Sequence, residues 1–311
     1  MKLLFKNMWS ILKLTFKYFF EKRILKLSAA LAYYTIFSLP GLLIVVIWIS
    51  DFFYGRAAVE GTVFGQISEF VGRDAALQIQ ETISNATVSS EGHFATIIGI
   101  ATLVLGSTSM FSEIQDSINL IWRLKTKSRG WGLLRLVINR LLSFSMVLVL
   151  GFLALVSLLI NGLMDIFSEN LQQRFPDATV FVVYGFNLII TFLITAFLFG
   201  IIFKILPDAE IKWKDVRAGA ITTTILFMAG KFVIGYYLGH NRLSSVYGTA
   251  GSVIVILLWV YYSAVILYLG AAFTRAYAHE RGRGIYPNKY AVWVEQVELE
   301  SRESIEQHKE L

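Results

Sequence analysis

Residues 243–274, LSSVYGTAGSVIVILLWVYYSAVILYLGAAFT, hold no charged side chain. A helix crosses the hydrocarbon core of a bilayer in about 20 apolar residues, so this run is longer than one span needs. Its first part, residues 243–252, is small and polar, and predicts a short loop or re-entrant turn followed by a helix from about residue 250. Irregular backbone is tolerated at membrane depth only where protein or a water-filled cavity satisfies its polar groups. Tyr247, Gly248 and Gly251 therefore read either as the wall of a pathway or as an ordinary interfacial loop.

Working outward, five more gaps between charged residues have spanning length: 27–50, 92–112, 141–164, 178–203 and 218–241, the last interrupted only by Lys231. The runs are continuous rather than alternating, which argues against membrane strands. Composition agrees: 56% of residues are hydrophobic and 16% charged, against about 25% charged in an ordinary soluble domain. The expected fold is an all-α integral membrane protein with six transmembrane helices. With no cysteine in the chain, disulfides, thiol catalysis and thiolate metal sites are excluded.

The net charge of +6 is unevenly placed. Residues 1–28, the 113–140 connection, the 204–217 connection and the segment from Arg275 onward hold 23 of the 28 basic residues. The alternate segments hold Arg56, Arg73, Arg174 and Arg242. Lys/Arg-rich loops stay on the cytoplasmic side, so both termini are expected to be cytoplasmic, in a multi-pass membrane protein. The basic residues are thereby explained by topology, and no nucleic-acid partner is expected.

Residues 1–26 read as a cytoplasmic interfacial amphipathic helix. Lys2, Lys6, Lys13 and Lys17 share one stripe, and Leu4, Met8, Ile11, Leu12 and Phe19 oppose it, as suits lysines toward anionic headgroups and an apolar side in the acyl boundary. Packing of this helix on the bundle is the alternative. The transmembrane domain follows over 27–278, with a helical extracytoplasmic loop at 51–93, and residues 279–311 read as an acidic cytoplasmic tail.

Ionisable residues at membrane depth are costly and mark functional sites. Glu113, Asp116 and Asn119 follow i, i+3, i+6 spacing on one face of the second span's extension, with Arg140 the nearest countercharge by depth. They read as a polar gate or coupling-ion site, or as a structural ion pair at the inner interface. Lys231 reads as a pathway lysine for an anionic group or as a snorkelling structural one. Tyr33, Tyr34 and Ser38 add polar groups to the first span and Trp259 an aromatic one to the sixth, and all four are candidates for the lining of a substrate pathway. Gly235 and Gly239 stand at GxxxG spacing, a weak packing signal. The four histidines are scattered and there is no P-loop; no cofactor or metal is expected.

Residues 28–40 (SAALAYYTIFSLP), 119–122 (NLIW), and 247–251 (YGTAG) with 258–261 (LWVY) and 269–271 (LGA) resemble, in family order, the signatures of the YihY/BrkB family of bacterial inner-membrane proteins. The resemblance covers about residues 25–280. It implies a six-span bundle and transport, with hints toward export of lipid or envelope components. The family commonly has Gly-Ala-Glu where this chain has Gly270-Ala271-Ala272, so any role of that glutamate is absent here or was structural. The family's old label, ribonuclease BN, does not fit: phosphodiester hydrolysis needs clustered metal ligands or an accessible acid–base pair, and the chain shows neither. The expected function is that of a transporter or flippase-like permease, not an enzyme, for an amphipathic or anionic substrate, with membrane lipids as partners. The alternative is a structural scaffold organising envelope partners.

Overall fold

The computed structural model describes residues 2–37, 109–127, 176–240 and 250–295. Among these, the helices are α1 (Lys2–Glu21), α2 (Ile24–Phe37), α3 (109–121), α4 (Pro176–Ile205), α5 (Trp213–His240) and α6 (Ala250–Glu280). Four short strands accompany them: β1 (Leu124–Thr126), β2 (Ala209–Glu210), β3 (Tyr286–Pro287) and β4 (Ala291–Trp293). The expected third span, the outer loop 51–93, Pro40, the 243–249 turn and the last sixteen residues lie outside the described residues.

Among the described residues the chain is mostly helical, and two helices are long and apolar enough to cross a bilayer. Leu188–Ile205 in α4 has a mean hydropathy of 2.5, and Val253–Glu280 in α6 one of 2.3. A core helix of that hydropathy in a water-soluble protein would be mostly covered, yet only 22% of the α4 window and 28% of the α6 window are buried. The uncovered side chains form stripes: Phe186, Ile189, Leu193 and Phe197 on α4, and Ile221, Ile225 and Val233 on α5. Contiguous apolar surface of this extent belongs against another apolar phase. Helix α5 carries Lys231 and a run of threonines, and its stretch does not reach the same apolarity among the described residues. Helix α6 begins at Ala250, where the end of the small polar stretch predicts it, and Gly251 sits in its first turn.

Helices α4, α5 and α6 pack in sequence order, and α1 lies against α6. The α5–α6 contact is a reciprocal fit of glycine and threonine. A methyl group at Gly219 would collide with Thr274 across the interface, and one at Gly270 would collide with Thr223. Farther along, Gly230 receives the tip of Tyr262, whose hydroxyl donates to the Leu226 carbonyl at 3.4 Å. Each threonine hydroxyl donates back to its own helix, Thr223 to Gly219 O and Thr274 to Gly270 O, both at 2.7 Å, so neither polar group is stranded in the contact. An aromatic row runs from Phe199 on α4 through Phe227 on α5 to Trp259 on α6, with ring centroids 5.7 and 6.2 Å apart. Trp259 is thus built into helix packing. The glycines that bring these helices together are 219, 230 and 270; the packing of Gly235 and Gly239 lies outside the described contacts.

The segments richest in Lys and Arg meet at one end of the bundle. β1, after α3, pairs antiparallel with β4; β2, after α4, pairs antiparallel with β3. Residues 281–295 therefore form a strap across two connections, with Ile285 and Ala291 buried. The strap departs from α6 through a turn in which Gly282 has φ +63°. Its N–H donates to His279 O (3.0 Å), and the Arg283 N–H donates to Ala278 O (2.9 Å), a helix stop that glycine adopts without steric cost. Arg283 then reaches the buried Asp215 in the first turn of α5, 3.5 Å away.

Because added volume at a tight contact must separate the helices, Gly219→Ala and Gly270→Ala should each destabilise the protein by about 1–3 kcal/mol. Thermal unfolding in detergent checks this, with Gly185→Ala, which meets open space, expected to leave the midpoint unchanged.

Candidate functional site

The basic end is organised around two helix stops and one acidic side chain. Helix α1 stops where Lys22 N–H donates to Tyr18 O (3.0 Å) and Arg23 turns into the left-handed region at φ +50°. Helix α3 stops in the same way at Arg123, φ +60°. The α3 terminal carbonyls need partners. Arg275, in the last turns of α6, donates from Nη1 to Ile121 O at 2.6 Å, while its guanidinium lies 4.0 Å from the Tyr18 ring of α1. Trp122 donates from its indole to Ala271 O at 2.9 Å. One turn of α6 thus holds both α1 and α3. Ala272, at the position where the family commonly has glutamate, is fully buried beside it.

Asp208, in the turn between α4 and β2, gathers the connections. The Asn119 amide donates to Asp208 Oδ2 (3.1 Å), and the Asp208 backbone N–H donates to Asn119 Oδ1 (2.9 Å). The Thr126 hydroxyl also donates to Oδ2 (3.2 Å), and the Asn288 amide donates to Oδ1 (3.5 Å). Residues from α3, β1, the α4–β2 turn and the strap are tied at one carboxylate.

Beside this knot opens a cavity of about 570 Å³, lined by Lys22, Asp116, Asn119, Arg123, Lys125 and Thr126 together with Leu120, Leu124 and Val294. Lys22 is almost fully covered, 6% exposed, and its ammonium lies 3.4 Å from Glu21. Arg123 pairs with the same carboxylate at 3.1 Å. Burial alone would raise the Glu21 pKa, but the Arg123 hydrogen bond and the Lys22 charge outweigh it, so the carboxyl sits below its ordinary value. The charged groups on the wall, Lys22, Arg123 and Lys125 against Asp116, are predominantly basic, in a lining that is otherwise largely apolar. Among the described residues, no three His, Cys, Asp or Glu side chains come together to hold a metal ion.

The residues singled out by sequence divide in the structure. Asp116 and Asn119 share the cavity wall, but buried Asn119 is committed to the Asp208 clamp. Glu113, a turn back on α3, accepts from the Ser117 hydroxyl at 3.3 Å and is not part of the cavity wall. Lys231 is half-buried on α5 and also lies off that wall. Tyr33 and Tyr34 are 60% and 39% exposed on α2, with Tyr33 against Phe37 at 4.9 Å; they face outward. Arg140, Ser38, Tyr247 and Gly248 lie outside the described residues. Sequence reasoning passed over Asp208, Lys22, Arg123 and Arg275 as site residues. The signal for Asp208 was the Pro207-Asp208 pair just after a span, a turn-forming dipeptide; the three basic residues were absorbed in the topology count.

Two outcomes are expected. Asp208→Ala strands the Asn119 and Asn288 amides and should cost about 1–3 kcal/mol, with an Asn119/Asp208 double-mutant cycle in thermal unfolding giving a coupling of at least about 0.5 kcal/mol. Because the folded Glu21 pKa is depressed, its stabilisation is complete above the ordinary value of 4.5 and is lost as pH falls through the lowered folded value. Glu21→Gln should remove that component of acid sensitivity, up to about 1 kcal/mol for so partly exposed a pair, leaving a shallower stability profile below pH 4.5.

Similarity searches bear on the same region. The family model for virulence factor BrkB matches residues 15–291. A UPF0761 membrane protein of Stenotrophomonas maltophilia is 27% identical over 84% of this chain, which spans 59% of that relative's length. UPF0761 membrane proteins of Tolumonas auensis and Pseudoalteromonas atlantica are 25% and 24% identical over 80% and 81% of this chain, and 78% and 82% of their own lengths. No solved structure matches. The match runs from within α1 to the start of β4 and takes in the helix stops, the Asp208 knot and the cavity wall apart from Val294: this chain belongs to the BrkB family of bacterial membrane proteins.

Proposed function

We propose that this chain is a six-span permease of the bacterial inner membrane, with both termini cytoplasmic, that moves an amphipathic anionic substrate of the lipid or envelope class. The observation that carries the reading is the cavity at the basic end, where Lys22, Arg123 and Lys125 stand around a space of about 570 Å³ opposite Asp116 and Thr126. Charge-assisted hydrogen bonds from lysine and arginine are the strong contacts for phosphate and carboxylate groups. The apolar stripes of α4 and α5 leave a tail of the same molecule free to remain in lipid. Support for the orientation comes from the meeting of the basic segments: the N-terminal segment, both basic connections and the strap touch at one end of the bundle, as a common side of the membrane requires. In this reading the protein is not an enzyme and the substrate leaves unaltered.

A scaffold function is favoured by a different observation. Asn119 is spent on a structural clamp, and the strap locks the connections together, which suits a rigid docking platform.

Reconstitution into liposomes separates the two. Wild type should accelerate transbilayer movement of a fluorescent anionic lipid over protein-free vesicles. Lys125→Gln, a change at an exposed cavity residue, should slow it by about 3- to 10-fold for a lost charge-assisted contact, and Asp116→Asn and Lys231→Ala report on coupling. Absence of lipid and ion movement by wild type, with a stable partner in pull-downs, would replace the permease by the scaffold.

A further inference from the structure

Helix α1 has three faces where an interfacial helix needs two. Ile11, Thr15 and Tyr18 are buried and form the face against α6. Two fastenings hold that face: the Ser10 hydroxyl donates to Glu280 at 2.8 Å, and Arg275 lies over Tyr18. At 100° per residue, Leu12, Phe16, Trp9 and Phe20 occupy an arc of roughly 80°, turned about 130° from the buried face. They are bare: Trp9 is 73% exposed, Phe20 70% and Phe16 54%. Exposed Lys13 and Lys17 form the third face, adjoining this arc. The apolar side expected from sequence is thus split. Ile11 is committed to protein, whereas Leu12, with Met8 beside it, is left outside.

Three aromatic rings at one helical spacing are far more apolar surface than a solvated helix carries without a partner. We infer that the Trp9, Leu12, Phe16 and Phe20 face of α1 docks on an anionic bilayer surface, its rings in the acyl boundary and Lys13 and Lys17 against the headgroups. Two features select lipid as the occupant. Beyond the Lys22–Arg23 turn the chain continues directly into α2, where Leu25, Tyr33 and Phe37 are likewise bare on a helix that enters the membrane under the reading above. Lysines flanking aromatic rings match the charge and polarity gradient of an anionic interface, and Arg23 and Lys26, both exposed, extend the positive rim along the turn. A helix anchored to α6 on one side and to lipid on the other fixes the height of the basic cavity relative to the headgroups. The inference rests on the membrane placement proposed above.

The chain has no cysteine, so Trp9→Cys, Phe16→Cys and Phe20→Cys each accept a single NBD fluorophore on the full-length protein. Leu193→Cys on the exposed stripe of α4 serves as the span control. In vesicles of phosphatidylcholine with added phosphatidylglycerol, probes at 16 and 20 should emit to the blue, be quenched by doxyl-labelled lipid and resist aqueous iodide. Lys13→Gln with Lys17→Gln should abolish the increment in lipid quenching that phosphatidylglycerol produces, leaving the level seen in phosphatidylcholine alone. Iodide quenching at 9, 16 and 20 without lipid quenching overturns the inference, and so does protection from both quenchers, which would mean a protein surface covers the stripe. In either case lipid quenching at 193 leaves the membrane placement standing, whereas its loss at 193 as well would remove that placement first.

Discussion

The close approach of α5 and α6 is the contact on which the described architecture depends. Gly219 meeting Thr274 and Gly270 meeting Thr223 bring the two axes nearer than side chains of ordinary size permit. In a bilayer, lipid tails are as apolar as leucine, so packing rather than water exclusion must hold helices together. The gain comes from van der Waals contact at short range, and threonine hydroxyls returned to their own carbonyls remove the penalty of a polar group in the seam. The last turns of α6 are positioned by this contact, and from them hang Trp122 of the α3 stop, the α3 carbonyl held by Arg275, and Tyr18 of α1.

The basic end follows from that placement. Three helices stop within reach of one another, and each leaves carbonyls that need donors. Side chains supply some of them, as Arg275 does for Ile121 O at 2.6 Å. The strap satisfies others by adding a short strand to each of two connections. Asp208 then accepts from three separate segments, turning loops into a plate. The same basic residues that make the charge asymmetric along the sequence therefore also stand on the wall of the cavity.

Legibility in the sequence was uneven, for physical reasons. The positions of α4, α5 and α6 could be read within a few residues, because excluding charge from hydrocarbon is a strong penalty applied residue by residue. The meeting of the basic segments was legible as a shared side of the membrane, though not as contact. Asp116 and Asn119 were found because i, i+3 spacing puts them on one helical face. Their separation into a cavity residue and a clamp residue was not legible, since it depends on Asp208, 89 positions away from Asn119. Tyr33 and Tyr34 were singled out from polarity alone, and their exposure on α2 belongs to the folded chain.

The sequence by itself determined the apolar lengths, the asymmetry of charge and the family motifs, all of which are local properties summed along the chain. The tertiary structure alone decided which glycines form the seam, that residues 281–295 strap two connections, and which side of α1 is committed to protein. Each of those is a pairing between segments far apart in the chain, and a pairing energy belongs to neither partner until the fold has brought them together.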